Sequence, residues 1–156
     1  MAAVCEVMTR HPITIDPDAP VGTAAAVMRE RGVHHLPVID DTGRLLGIVT
    51  ECDLRSASVG PALTEWLGPR WRARASALRK RGNQLRVRDV MTWGCLTTDG
   101  TASLEQAAAR MLADAIGCLP VVLGGRLVGI VTQKDVLRSL RDRLPAIKGD
   151  ADDCLP

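Results

Sequence analysis

Apolar and polar positions along this chain follow two different rhythms, and the rhythms alternate in the same order twice. Ile13 to Ile15 is a short β-branched run of strand character. Val21, Ala24, Ala25 and Met28 then fall at i, i+3, i+4 and i+7, the spacing of one buried helical stripe. Asp18 ahead of Pro20 predicts the start of that helix, and Gly32 predicts a left-handed end. Residues 36–39 and 45–49 flank Asp40-Asp41-Thr42-Gly43, turn chemistry that joins two antiparallel strands. A second helix is predicted to open at Thr50, where a Thr followed three residues later by Asp53 supplies a cap and a negative charge near a helix start.

The same series recurs after residue 86. Val7-Met8-Thr9 returns as Val90-Met91-Thr92, Ala24 and Met28 as Ala107 and Met111, and Leu36-Pro37-Val38 as Leu119-Pro120-Val121, each 83 positions later. One residue is then missing from the turn, which here reads Leu123-Gly124-Gly125. Gly47-Ile48-Val49-Thr50 with Asp53 accordingly returns as Gly129-Ile130-Val131-Thr132 with Asp135, 82 positions later. The helical stripe becomes Leu104, Ala107, Ala108 and Met111, and Ala115 stands where the first copy has Gly32. Neither half has enough apolar surface for a core of its own, so the two are expected to pack together as a pseudo-twofold pair. The expected division is a first motif over 1–58, a partly helical basic linker over 59–86, a second motif over 87–142 and a loose polar tail over 143–156.

Composition narrows the role. Apolar residues form 46% of the chain and charged residues 24%, the balance of a folded globular protein. Phe and Tyr are absent, so the core must be aliphatic, and stacking of nucleic-acid bases on an aromatic platform has little to work with. No apolar run approaches the roughly 20 residues of a membrane span, and the opening residues lack the layout of a secretory leader, so a cytoplasmic location is expected. The five cysteines are scattered without a C-x-x-C pair and read as small reduced hydrophobes. A net charge of +2 hides a basic stretch: Arg70, Arg72, Arg74, Arg79, Lys80, Arg81, Arg86 and Arg88 carry no acid among them.

The Val-Met-Thr opening, the Leu-Pro-Val strand and the doubled Gly-Ile-Val-Thr-x-x-Asp motif together resemble the CBS domain family, whose paired motifs are called Bateman modules. The resemblance covers about residues 4–58 and 87–140. It implies an α/β (α+β) fold of two β-α-β-β-α units packed sheet to sheet, with two symmetry-related clefts between them. It further implies a regulatory module that binds an adenosine-type nucleotide: AMP, ADP, ATP or S-adenosylmethionine. In that scheme Asp53 with Thr50 serves the ribose of one cleft, and Asp135 with Thr132 that of the other, since a carboxylate accepts from both ribose hydroxyls. Thr14, Val33, His34 and Leu36 complete the Asp135 cleft, with His35 beside His34 for phosphate, while Thr97, Ile116, Gly117 and Leu119 complete the Asp53 cleft. Lys134, Arg138, Arg10 and Arg55 are further cations near the motifs. The family pattern also implies a homodimer that passes its output to an effector protein.

Read without the resemblance, Thr50 and Thr132 are helix caps and the two aspartates first-turn charges. The histidines read equally well as surface or interface residues, and Asp40 with Asp41 is turn chemistry. A helix over residues 71–81, preceded by the Leu63, Trp66, Leu67 stripe, gives the basic linker either a solvated face or a surface for nucleic acid or an acidic partner. No Gly-x-Ser-x-Gly, Walker A or metal-ligand spacing occurs, so neither catalysis nor a resident cofactor is expected. A ligand-free dimerisation module is the remaining alternative.

Overall fold

The computed structural model describes residues 2–58 and 85–143. The stripe and helix expected within 59–84 and the tail beyond 143 lie outside the described residues. The elements run α1 (Val4–Val7), β1 (Thr9–Arg10), α2 (Val21–Arg31), β2 (His35–Ile39), β3 (Leu45–Thr50) and α3 (Glu51–Ser58). The second half runs α4 (Val87–Val90), β4 (Thr92–Trp93), α5 (Leu104–Ala113), β5 (Cys118–Leu123), β6 (Arg126–Thr132) and α6 (Gln133–Arg143). The pseudo-symmetric doubling expected from the repeat is present element for element.

Each half is built around its hairpin. β2 and β3 pair antiparallel with His35 opposite Thr50, and β5 and β6 pair with Cys118 opposite Thr132. Asp40 secures the first turn by accepting from the Thr42 amide, the Thr42 hydroxyl and the Arg44 amide at 2.7–3.0 Å. In the second turn Gly124 and Gly125 both have positive φ, 59° and 79°, the twist that a two-residue hairpin loop requires.

The opening strand differs from the expectation. Ile13 to Ile15 forms no strand; Ile15 makes a single parallel bridge to Val38. The paired strand is Thr9–Arg10, and it joins the sheet of the other half: β1 lies against β6, and β4 lies against β3. The helical turns α1 and α4 cross over with them. Val4 and Cys5 donate their amides to Ala102 and Gly100, and 83 positions on Val87 and Arg88 donate to Ala19 and Pro17, all at 2.9 Å. One core therefore holds Ala24, Met28, Leu36, Val38, Val49 and Leu54 together with Val87, Val90 and Met91. The other holds Ala107, Met111, Leu119, Val121 and Val131 together with Ala2 and Val4. Between the sheets Ile48, Cys118 and Ile130 form a seam, with Cys95 packed on it.

Two further expectations are corrected. Pro20, not Asp18, takes the N-cap position of α2; Asp18 instead pairs with Arg88 at 2.7 Å, and its carbonyl accepts from Arg86 at 2.6 Å. Ala25 is exposed, because the buried line of α2 runs through Ala24 and Met28, flanked by the half-buried Val21 and Val27. Gly32 does take the left-handed conformation expected of it, with φ 63°.

Strand exchange requires close backbone approach. A Cβ on Gly47 would lie 2.2 Å from the Thr92 carbonyl oxygen, whereas one on Gly129 would first meet the flexible Met8 side chain at 2.5 Å. Gly47→Ala should therefore lower unfolding free energy toward the upper end of roughly 1–3 kcal/mol, and Gly129→Ala should cost less, as read from urea denaturation. Ala115 holds φ 52° without a glycine's freedom. Ala115→Gly should stabilise by about 0.5–1 kcal/mol in the same assay, because relief of the left-handed strain exceeds the extra chain entropy lost.

Candidate functional site

The two Thr-x-x-Asp motifs fold into the same hydrogen-bonded box. Asp53 Oδ2 accepts from the Thr50 amide at 2.9 Å and from its hydroxyl at 2.8 Å, and Thr50 Oγ1 accepts the Asp53 amide at 3.3 Å. In the second copy Asp135 Oδ2 accepts from the Thr132 amide at 2.9 Å and hydroxyl at 2.7 Å, and Thr132 Oγ1 accepts the Asp135 amide at 3.4 Å. This is reciprocal capping of α3 and α6, so the capping role holds. It also orients each carboxylate while engaging one of its two oxygens.

Around Asp135 the halves leave a cleft of about 470 Å³, within the range of small-molecule sites. The first half contributes Val33, His34 and His35, and the second contributes Thr132 and Asp135, so these residues come together as expected. Lys134 and Arg138, which the sequence could not aim, line it too. Arg10 does not, since its guanidinium donates to the Cys5 carbonyl at 3.0 Å, and Arg55 pairs with Glu51 instead. Thr9, His11, Pro12 and Ile13 are lining residues that the sequence reading missed. They arrive because β1 joins β6, a long-range pairing with no local signal.

Other expected residues sit elsewhere. Leu36 and Leu119 are completely buried, one in each core, and have no surface to offer a ligand. Thr14 is half-buried and does not line the cleft, where its neighbour Ile13 does. Gly117 was expected beside Asp53 and instead lines the Asp135 cleft, where its backbone makes room for the His35 ring: a Cβ there would stand 3.2 Å from His35 Nε2. Ile116 packs on the second core, and its carbonyl accepts from the Gln133 side chain at 3.2 Å. Thr97 borders a small 180 Å³ cavity with Arg44 and Val122, away from Asp53. Asp53 itself is only 6% exposed, whereas Asp135 is half-buried.

The CBS domain family matches residues 4–60 and 87–142, the two halves that build this cleft. The chain belongs to that family. A CBS domain-containing protein of Dictyostelium discoideum is 33% identical over 135 residues, covering 86% of this chain and 88% of that protein. An uncharacterized protein of Methanocaldococcus jannaschii is 33% identical over 139 residues, 89% of this chain, but the chain spans only 32% of its length. An inosine-5'-monophosphate dehydrogenase of the same organism is 29% identical, with 85% of this chain matching 22% of the enzyme. Among solved structures, CBSX2 in complex with AMP aligns at a TM-score of 0.74 and 29% identity over 91% of this chain and 98% of that one. The CBS domain pair of protein MJ0100, in complex with 5'-methylthioadenosine and S-adenosyl-L-methionine, aligns at 0.72 and 26% over 92% and 99%. No helix among the described residues is long and apolar enough to cross a membrane.

Charge in this CBS pair is arranged by burial. His35 has its pKa lowered from the ordinary 6.5, chiefly because burial disfavours the imidazolium and also because His34 adjoins it, with Asp53 pulling the other way. Cys118 in the seam has its thiol pushed up to about 12 by burial and by Cys95 beside it, the behaviour of an inert core thiol. Glu51 is held below the usual carboxylate range by hydrogen bonds from His34, at 2.7 Å, and from Arg55.

A histidine with a depressed folded pKa stabilises the fold fully above its unfolded value near 6.5 and loses that contribution as pH falls through the folded value. Melting temperature should therefore fall between about pH 7.5 and about pH 5, and His35→Gln should flatten that part of the profile. Equal slopes in the two proteins would assign the acid sensitivity elsewhere.

Proposed function

We propose that this chain is a regulatory sensor that binds an adenosine-type nucleotide in the Asp135 cleft. The observation that carries the reading is the convergence, in one cleft of small-molecule size, of a pre-oriented carboxylate from one half with apolar walls and histidines from the other. Asp135 takes the ribose hydroxyls, its Oδ2 being anchored to Thr132. Val33, Ile13 and Ile130 form the walls for the base, while His34, Lys134 and Arg138 reach the charged end of the ligand. The solved CBS pairs carrying AMP, methylthioadenosine and S-adenosylmethionine support an adenosine ligand for this chain.

Because the ligand touches both halves, its binding favours whichever relative packing it fits better, and the shift is limited by its differential affinity for the two. The response passes to an effector protein or to a second copy of the chain. On α6, Leu137 and Leu140 are 65% and 54% exposed, apolar surface suited to such a contact. The placed residues of the basic stretch favour a structural role over nucleic-acid binding, since Arg86 and Arg88 are both spent on Asp18.

A thermal-shift panel of AMP, ADP, ATP and S-adenosylmethionine tests the reading. A ligand at about one hundred times its dissociation constant should add roughly 2.7 kcal/mol to stability. Asp135→Ala should weaken that ligand at least about tenfold, the loss expected for hydrogen bonds to a charged group. No shift with any of the four compounds would leave a ligand-free scaffold.

A further inference from the structure

The tips of the two hairpins meet. The Leu45 amide donates to the Gly125 carbonyl at 3.3 Å and the Leu127 amide to the Gly43 carbonyl at 3.4 Å, so Arg44 and Arg126 stand opposite each other in an antiparallel bridge. The two arginines are equivalent in the repeat, which puts their bridge on the pseudo-twofold axis. Bonds that flank a pair on both sides mark it as a non-hydrogen-bonded pair, the class in which Cα atoms approach to about 4.5 Å and both side chains leave on one face. Two exposed guanidinium groups are thus held side by side, an arrangement that like charges disfavour. Arg44 has an acid at hand, since its amide donates to the Asp40 carboxylate at 3.0 Å across the first turn. In the second copy Leu123 replaces Asp40; it pairs across the hairpin with Arg126 and is 70% exposed. Arg126 forms no ion pair among the described residues.

We infer that this face docks the chain's own acidic segment, Asp150 to Leu155, with a carboxylate over the paired guanidinium groups and an apolar side chain on Leu123. Residues 144–156 carry Asp150, Asp152 and Asp153 against Lys148 alone, so their charge complements the face. Asp153 and Leu155 are two positions apart, and on an extended segment such residues share one side, about 7 Å from each other. The segment also starts within reach. α6 ends with Arg143 at 3.6 Å from Glu105 in the first turn of α5, and the loop entering α5 bridges β5 at Thr98 and Val121, beside the second turn. Asp150 lies seven residues beyond Arg143 and Asp153 ten, roughly 25–35 Å of extended chain. A carboxylate shared by Arg44 and Arg126 offsets their repulsion through charge-assisted hydrogen bonds. One guanidinium belongs to each half, so the docked segment braces the halves against each other at the axis. The brace holds with or without a nucleotide in the cleft.

Amide NMR of the full chain tests this from both ends of the contact. Replacing the acids, in Asp150→Asn/Asp152→Asn/Asp153→Asn, should move the amide resonances of residues 43–45 and 123–127 and leave both cores unmoved. Reversing the charge of the exposed Arg126, in Arg126→Glu, should in turn move the resonances of residues 150–155, a change that local effects at the hairpin do not produce. Both sets of wild-type resonances should shift toward the variant positions at about 1 M salt, where screening acts within about 3 Å. Hairpin resonances unmoved by the acid replacements would overturn the proposal. So would movement confined to residues 70–88, which would seat the acids on the basic stretch instead, and so would a response that vanishes on dilution, which would make the contact one between two copies.

Discussion

Everything in this molecule depends on the exchange of opening strands between the halves. Each three-stranded sheet is completed by a two-residue strand that belongs, in sequence, to the other copy. With the strand come a helical turn and two or three core side chains, so neither core closes without the other half. Gly47 permits the contact, since a side chain there would strike the Thr92 backbone, whereas at Gly129 the nearest obstacle is the flexible Met8 side chain. The exchange also decides what lines the cleft. Thr9 and residues 11–13 reach Asp135 only because β1 crosses to β6.

Within that frame the Thr-x-x-Asp box has two uses. Its hydrogen bonds cap α3 and α6, satisfying amides that a helix start leaves open. The same bonds hold the carboxylates still, so that under the proposed adenosine reading a ligand would meet an acceptor whose rotamer freedom is already spent, which lowers the entropic cost of binding. Capping and recognition are therefore compatible readings of one feature, and the surroundings separate them. Asp53 is nearly sealed, while Asp135 faces an open cleft.

Duplication preserved what packing requires and released what it does not. Positions that fill the cores match closely between copies: Met28 with Met111, Leu36 with Leu119, Val38 with Val121 and Val49 with Val131, all fully or nearly fully buried. A change of even one methylene is felt in such close-packed sites. Positions at the cleft rim touch solvent and tolerate divergence, so that two halves of one architecture carry different charge.

Neighbouring residues in the chain were enough to read the doubled architecture, both hairpins, the left-handed Gly32 and the capping roles of Thr50 and Thr132. Each of these is written in residues at most a few positions apart, where periodicity, turn chemistry and capping act. The sequence misplaced the first strand, because the β-branched run at Ile13 to Ile15 outweighed the two residues of Thr9–Arg10, whose strand character exists only through a partner over one hundred positions away. It likewise could not separate Leu36 and Leu119, turned wholly into the cores, from Val33 and Gly117, turned to the cleft. Tertiary structure alone decided which cations surround Asp135 and how far Asp53 is covered, because burial and charge proximity depend on how the two halves close on each other.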